Sequence, residues 1–284
     1  MGSHIGETDM QIGVFGDVHG QILLIFQLAA RWQQENGQEL DLLLQVGDLG
    51  VFPDMAHLDR STRRHSTFFP DSLGFLQYFT TTDSSVATTL NETHCPLVFV
   101  RGNHEDHVWL DTLEQQTPAP VFPIDVYQRV YCLKTGVPYL FTRGGETITL
   151  LGIGRIGRPA AARKDRPRYL QPDEQLRLDQ VEAAPIDVLL THDSARDQIY
   201  VGSGSEEIDR ICVHLHPTYH FFGHYGGPCQ YERVESTGTL RYKLAGLHPD
   251  YHTPEQTIQA GAMGLLSWHG RDQHTFTINC QERP

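Results

Sequence analysis

Gln11-Ile12-Gly13-Val14-Phe15-Gly16-Asp17-Val18-His19-Gly20 is the stretch on which the reading of this chain turns. A short apolar run stopped by glycine reads as a buried strand, and here it runs out into a carboxylate and an imidazole. Asp17 and His19 are two apart, which in extended backbone puts both side chains on one side. Residues 21–36 then carry Ile22, Ile25, Phe26, Ala29 and Trp32 on one helical face, closed by Gly37, and residues 42–46 are apolar again. Strand, helix and strand in that order predict a sheet covered by helices.

The same syntax recurs further out. Buried strands are predicted at 97–100, 186–190 and 219–222, with helices over 106–115, from Pro172 and from Ser205, the last two carrying acids in their first turns. Shorter strands are expected at 130–133, 139–141 and 148–151, and an antiparallel pair at 230–234 and 240–244. A C-terminal hairpin at about 262–280 turns on His269-Gly270-Arg271-Asp272. Residues 53–94 are polar and resist assignment, apart from a helix suggested by Leu73, Leu76 and Phe79 and interrupted by Gly74. The expectation is an α/β fold (an α+β sandwich) of two facing mixed sheets flanked by helices, one domain over 11–284. Residues 1–10 are expected to be disordered or tag-derived, since Met1-Gly2-Ser3-His4 looks like an expression-tag remnant.

Composition narrows the function. The 284 residues hold 22 Lys+Arg against 35 Asp+Glu, a net charge of −13, which argues against bulk nucleic-acid binding. No apolar run approaches the roughly 18 residues of a membrane span. Five cysteines, Cys95, Cys132, Cys212, Cys229 and Cys280, make an odd count with no C-x-x-C pair, so no disulfide framework is expected and a reducing, cytoplasmic setting is. Sixteen histidines on an acidic chain make metal binding worth testing.

The chemistry is written just past the strand ends. Phe15 is followed by Asp17, Val46 by Asp48, Val100 by Asn103, Leu190 by His192 and Phe222 by His224. In α/β sheets the crevice outside the carboxyl ends of the strands is where ligands bind. Any one such Asp or Asn is more often a turn former. Five together point to a metal site.

Gly16-Asp17-Val18-His19-Gly20, Gly47-Asp48, Gly102-Asn103-His104-Glu105, Thr191-His192 and Gly223-His224 resemble, in order, the motifs of the calcineurin-like metallophosphoesterase superfamily. The resemblance implies a fold of two facing sheets between helices and a pair of divalent ions. It implies Asp17, His19 and Asp48 as ligands of one ion and Asp48, Asn103, His192 and His224 as ligands of the other, with Asp48 bridging. Mn, Fe, Zn and Ni all suit such an N/O donor set, and Mn is favoured. Two cations about 3.5–4 Å apart clamp a phosphate and lower the pKa of a bridging water, so that hydroxide attacks phosphorus. By the same resemblance His104 is the general acid that protonates the leaving group or stabilises the phosphoryl oxygen; Glu105 and Asp106 are candidate orienting carboxylates.

Departures from the family pattern refine this. The pattern ends in Gly-His-x-His, and here Gly226 stands where the second His belongs. That leaves three protein ligands plus water, a substitute in His216 or His220, or a weakly filled first site. The protein Ser/Thr phosphatase branch has a further Asp and Arg after its second metal-binding Asp, whereas this chain reads Gly50-Val51-Phe52. Residues 130–224 are loosely similar to RNA lariat debranching enzymes, which favours phosphodiester chemistry on a nucleotide or RNA over phosphomonoester hydrolysis. A catalytically silent metal-binding scaffold is the reading from another class.

Residues 155–168 set Arg155, Arg158, Arg163, Lys164, Arg166 and Arg168 against Asp165, a local charge of 6 − 1 = +5. Arginine binds phosphate in a bidentate fork. Arg101, Arg155 and Arg158 are the substrate-binding candidates.

Overall fold

The structure is a computed structural model that describes residues 9–159, 162, 164, 166–182, 184–247, 258–279 and 281–282. Residues 1–8, Arg163, Asp165 and Cys280 therefore lie outside it. The chain runs β1 (Met10–Phe15), α1 (Ile22–Asn36), β2 (Leu42–Gln45), α2 (Arg60–His65), α3 (Gly74–Tyr78), α4 (Ser84–Asn91), β3 (Leu97–Phe99), α5 (His107–Gln116), β4 (Val121–Pro123) and β5 (Val130–Leu133). It continues through β6 (Tyr139–Arg143), β7 (Glu146–Ile153), α6 (Pro172–Asp179), β8 (Val188–Thr191), α7 (Glu206–Leu215), β9 (Tyr219–Phe222), β10 (Gln230–Arg233), β11 (Leu240–Lys243), β12 (Met263–Trp268), β13 (His274–Thr277) and β14 (Gln281–Glu282).

The strands form two seven-stranded mixed sheets, ordered β13-β12-β1-β2-β3-β5-β4 and β14-β10-β11-β9-β8-β7-β6. The period-2 alternation of strand side chains explains the layering. Ile12, Val14, Leu42, Leu44 and Val98 of the first sheet pack with Ile148, Leu150, Val188, Leu190 and Phe221 of the second. Phe15, Leu43, Leu97 and Phe99 point the other way, onto Ile25, Phe26 and Ala29 of α1 and Leu110 of α5. On the second sheet's outer face Leu151, Ile153 and Leu189 meet Leu178 of α6 and Ile208 and Ile211 of α7. Burying each such side chain stabilises the fold by about 1.5–3 kcal/mol, so strands apolar on both faces fix the layer order.

The C-terminal hairpin is not a free appendage. β12 pairs antiparallel with β1 over Met10 to Phe15, and so braces the strand that leads into Asp17. The polar stretch that resisted assignment holds three short helices, among them α2, whose N-cap Asp59 accepts from the N–H groups of Ser61 and Thr62. Cys229 is disulfide-bonded, while Cys95, Cys132 and Cys212 are free and buried. An odd count excludes complete pairing; it does not exclude one bridge. Among the described residues no helix is long and apolar enough to cross a membrane.

Candidate metal centre

β1, β2, β3, β8 and β9 all run parallel to one another where they pair, so their carboxyl ends open on one edge of the sandwich. There the described residues bring together two groups of possible ligands. Asp17, His19 and Asp48 form one and Asp48, His192 and His224 the other, the donor atoms of each lying within 4.8 Å of one another. Asp48 belongs to both. Nitrogen and carboxylate oxygen donors in threes, sharing one carboxylate, suit a pair of first-row divalent ions.

The geometry is held by backbone that ordinary residues adopt reluctantly. His19 (φ 44°), Asp48 (φ 52°) and His224 (φ 67°) all sit in the left-handed region. Such strain is kept only where the surroundings over-determine it. Glycine makes the close approach possible: a Cβ on Gly102 would collide with Asp48, and one on Gly223 with the Asp17 carboxylate.

Asp48 Oδ1 accepts from the backbone N–H groups of Asn103 (2.7 Å) and His104 (2.8 Å), which ties the loop after β3 to the loop after β2. Its Oδ2 lies 3.3 Å from His192 Nε2. His192 Nδ1 is 3.0 Å from the Val46 carbonyl, and this bond orients the ring with Nε2 toward Asp48 and the Asn103 Oδ1, 3.2 Å away. Asp17 accepts from the His224 N–H at 3.0 Å.

These groups titrate far from their ordinary values. Burial raises the Asp17 carboxyl to about 7, against the opposing pull of His192. Burial would also raise Asp48, but His192, His19 and His104 outweigh it and hold that carboxyl well below the usual range. His192 shows the converse: burial disfavours its charge, yet Asp48 and Asp17 raise it to about 10. Burial and the neighbouring His192 lower His224 to about 4. A strongly proton-holding imidazole between two carboxylates marks a place built for positive charge.

His104 stands beside this cluster, its ring 5.5 Å from that of His19. Its orienting carboxylate is neither Glu105 nor Asp106 but Asp59, whose Oδ2 is 2.9 Å from His104 Nδ1. Burial opposes charge on the ring, but the Asp59 hydrogen bond and the Asp48 charge raise its pKa. Asp59 itself is lowered to about 2, burial being outweighed by His104 and the Thr62 N–H. Glu105 instead accepts from the N–H groups of Leu49, Gly50, Val51 and Gly102, bracing the loop that presents Asp48. Asp106 caps α5 and meets His57 Nδ1 at 2.6 Å.

Neither proposed substitute for the absent histidine belongs to the ligand groups. His220 is fully buried, with Nε2 2.9 Å from Thr191 Oγ1, and His216 ends α7 in a left-handed conformation. Beside Gly226 the feature that composition did not suggest is Lys243. Its buried ammonium donates to the carbonyls of Tyr225 (3.1 Å) and Gly226 (2.8 Å) and interacts favourably with Asp17.

Of the three arginine candidates, Arg101 and Arg155 are 2% and 3% exposed. Arg101 pairs with Asp111 and Glu114; Arg155 pairs with Asp111 (2.6 Å) and Glu174 (3.0 Å) and donates to the Pro167 carbonyl. Both guanidinium groups are consumed in fastening α5 and α6 to the strand ends. Arg158 is exposed and reaches the Ala162 carbonyl at 3.4 Å.

Comparison with known proteins fits this geometry. The family model for calcineurin-like phosphoesterases matches residues 10–227. The chain belongs to the calcineurin-like phosphoesterase family and is a phosphoric ester hydrolase of the metallophosphoesterase superfamily. Among solved structures, TT1561 of Thermus thermophilus superposes with a TM-score of 0.50 at 15% identity, covering 84% of this chain and 90% of that one. A second crystal structure gives 0.51 at 12% identity, covering 95% and 99%. The phosphopantetheinyl hydrolase PptH of Mycobacterium tuberculosis gives 0.45 at 14% identity, covering 85% and 91%. At these identities the likeness is one of fold. A search of curated protein sequences finds no match.

Proposed function

We propose that this chain, with residues 11–284 acting as one unit, hydrolyses phosphoesters at a centre of two divalent ions, phosphodiesters ahead of monoesters. The observation that supports this most is the sharing of Asp48 between two ligand groups, with the oriented imidazole of His104 alongside. Asp17, His19 and Asp48 would hold one ion; Asp48, Asn103, His192 and His224 the other. When bound, such ions neutralise phosphoryl charge and make water acidic enough to attack near neutral pH. Mn is the favoured metal on the N/O donor set.

The chain's own residues do the rest. His104, its Nδ1 held by Asp59, gives the proton from Nε2 to the departing ester oxygen, and its raised pKa keeps that proton available at neutral pH. A phosphate-bearing nucleotide is the substrate class that the debranching-like segment favours. Protein phosphatase action is disfavoured by Gly50-Val51-Phe52. A cytoplasmic setting rests on the free thiols Cys95, Cys132 and Cys212; the bonded Cys229 speaks against it.

Two substitutions separate the roles. Asp48→Asn is expected to lose both ions in elemental analysis. His104→Ala is expected to keep them while kcat on bis-p-nitrophenyl phosphate falls by about 10²–10⁴. Loss of metal from His104→Ala would overturn the assignment of that residue.

A further inference from the structure

A cavity of about 680 Å³ opens beside His104 and Asn103, walled by α2, the loop leading into α5 and residues 166–168. That volume suits one small organic ligand. Four arginines line it: Arg60 and Arg64 from α2, Arg166 and Arg168 from the opposite wall. Two of the four belong to the positive run at 155–168, and two come from a segment about 100 residues earlier.

The carboxylates of the same walls are already spent. Asp59 accepts from Ser61, Thr62 and His104; Glu105 takes four backbone N–H groups; Asp106 caps α5 and holds His57. Arg60, Arg64 and Arg166 form no ion pair with another described residue. Arg168 lies over the Tyr169 ring at 5.3 Å, and its buried Nε has no hydrogen-bond partner.

We propose that this cavity is an anion subsite that receives a phosphate carried by the leaving group, so that among phosphomonoesters the preferred substrate is a small bisphosphorylated compound. The inference rests on the proposed role of His104, which defines this side as the one the leaving group departs to. In the reaction water supplies the oxygen that joins phosphorus, the P–O ester bond breaks, and the ester oxygen takes the His104 proton. The products are inorganic phosphate and an alcohol that keeps its second phosphate. The attacking water's proton restores His104, so the balance needs no further reactant. Guanidinium forks around the retained phosphate hold the product alcohol in line until release. The cavity is sized for one nucleotide-like group rather than for a strand of nucleic acid.

Adenosine 3′,5′-bisphosphate and adenosine 5′-monophosphate are the probes. The Mn-loaded protein is expected to show a KM about tenfold or more lower for the bisphosphate, as one charge-assisted phosphate contact would give. In the double variant Arg60→Gln, Arg64→Gln, both exposed on α2, that ratio is expected to fall toward one. Arg31→Gln removes an exposed arginine of α1 that does not line the cavity, and is expected to leave the ratio as it is. Calorimetry of metal-free protein with the same two ligands reads the subsite without turnover. Equal affinity and equal KM for both probes in the natural sequence, or a ratio that the double substitution leaves unchanged, would overturn the subsite. Tight, arginine-dependent bisphosphate binding with no hydrolysis of any phosphoester would instead overturn the proposed function and leave the subsite standing.

Discussion

At the residue scale the pair His104–Asp59 carries a test of its own. A general acid must be protonated to act, and Asp59 raises the pKa of His104 through a hydrogen bond and its charge. Replacing Asp59 by Asn removes the charge and weakens the bond, so the imidazole loses its proton at lower pH. The alkaline limb of the kcat profile is therefore expected to move to lower pH, with metal content retained. An unmoved limb would separate Asp59 from the acid. This partner was not legible in the sequence. Asp59 announces itself only as a helix cap before Arg60-Ser61-Thr62, and its contact with His104 spans 45 positions. The grouping of Asp17, His19, Asp48, His192 and His224 was legible because each lies shortly beyond a buried apolar run.

Elements explain why Arg101 and Arg155 look unpaired in the sequence and are paired in the fold. Sequence shows positive charge after a strand; it does not show that Asp111, Glu114 and Glu174 arrive from α5 and α6 to consume it. Glu174 is 2% exposed, completes a capping box at the start of α6 through the Gln171 N–H, and bonds Arg155 Nε. Truncating one partner of a buried pair leaves the other charge unpaired, at a cost of about 3–5 kcal/mol. Arg155→Met is therefore expected to lower unfolding stability by roughly 3 kcal/mol in denaturant titration, with KM for aryl phosphates nearly unchanged. A large KM increase at full stability would restore Arg155 to the substrate. The buried parallel strands were read to within two residues at their ends, since apolar runs on both faces leave little choice. α2 was missed because it is short, polar and set by its Asp59 cap, and α4 because it is only eight residues long, with Val86 and Leu90 alone turned to the core behind an Asp83 cap.

For the whole molecule, the sandwich explains how residues from positions 17 to 224 converge. Strands from both sheets end at one edge, and the shared layer around Ile12, Leu44, Leu190 and Phe221 locks the sheets so that the loops after β1, β2 and β3 meet those after β8 and β9. The net charge of −13 takes on a local meaning here. Buried carboxylates gather where cations are expected, and guanidinium groups gather in the neighbouring cavity. Proton-laden His192 and Asp17 hold the site's charge in the metal-free protein, so ions must displace protons to enter. The most direct test of the central claim is a titration of Mn²⁺ into metal-stripped protein, following bound metal and bis-p-nitrophenyl phosphate turnover together. Turnover that rises to a plateau at two ions per chain is the expected result. Two ions bound per chain with no hydrolysis of any phosphoester would contradict the account.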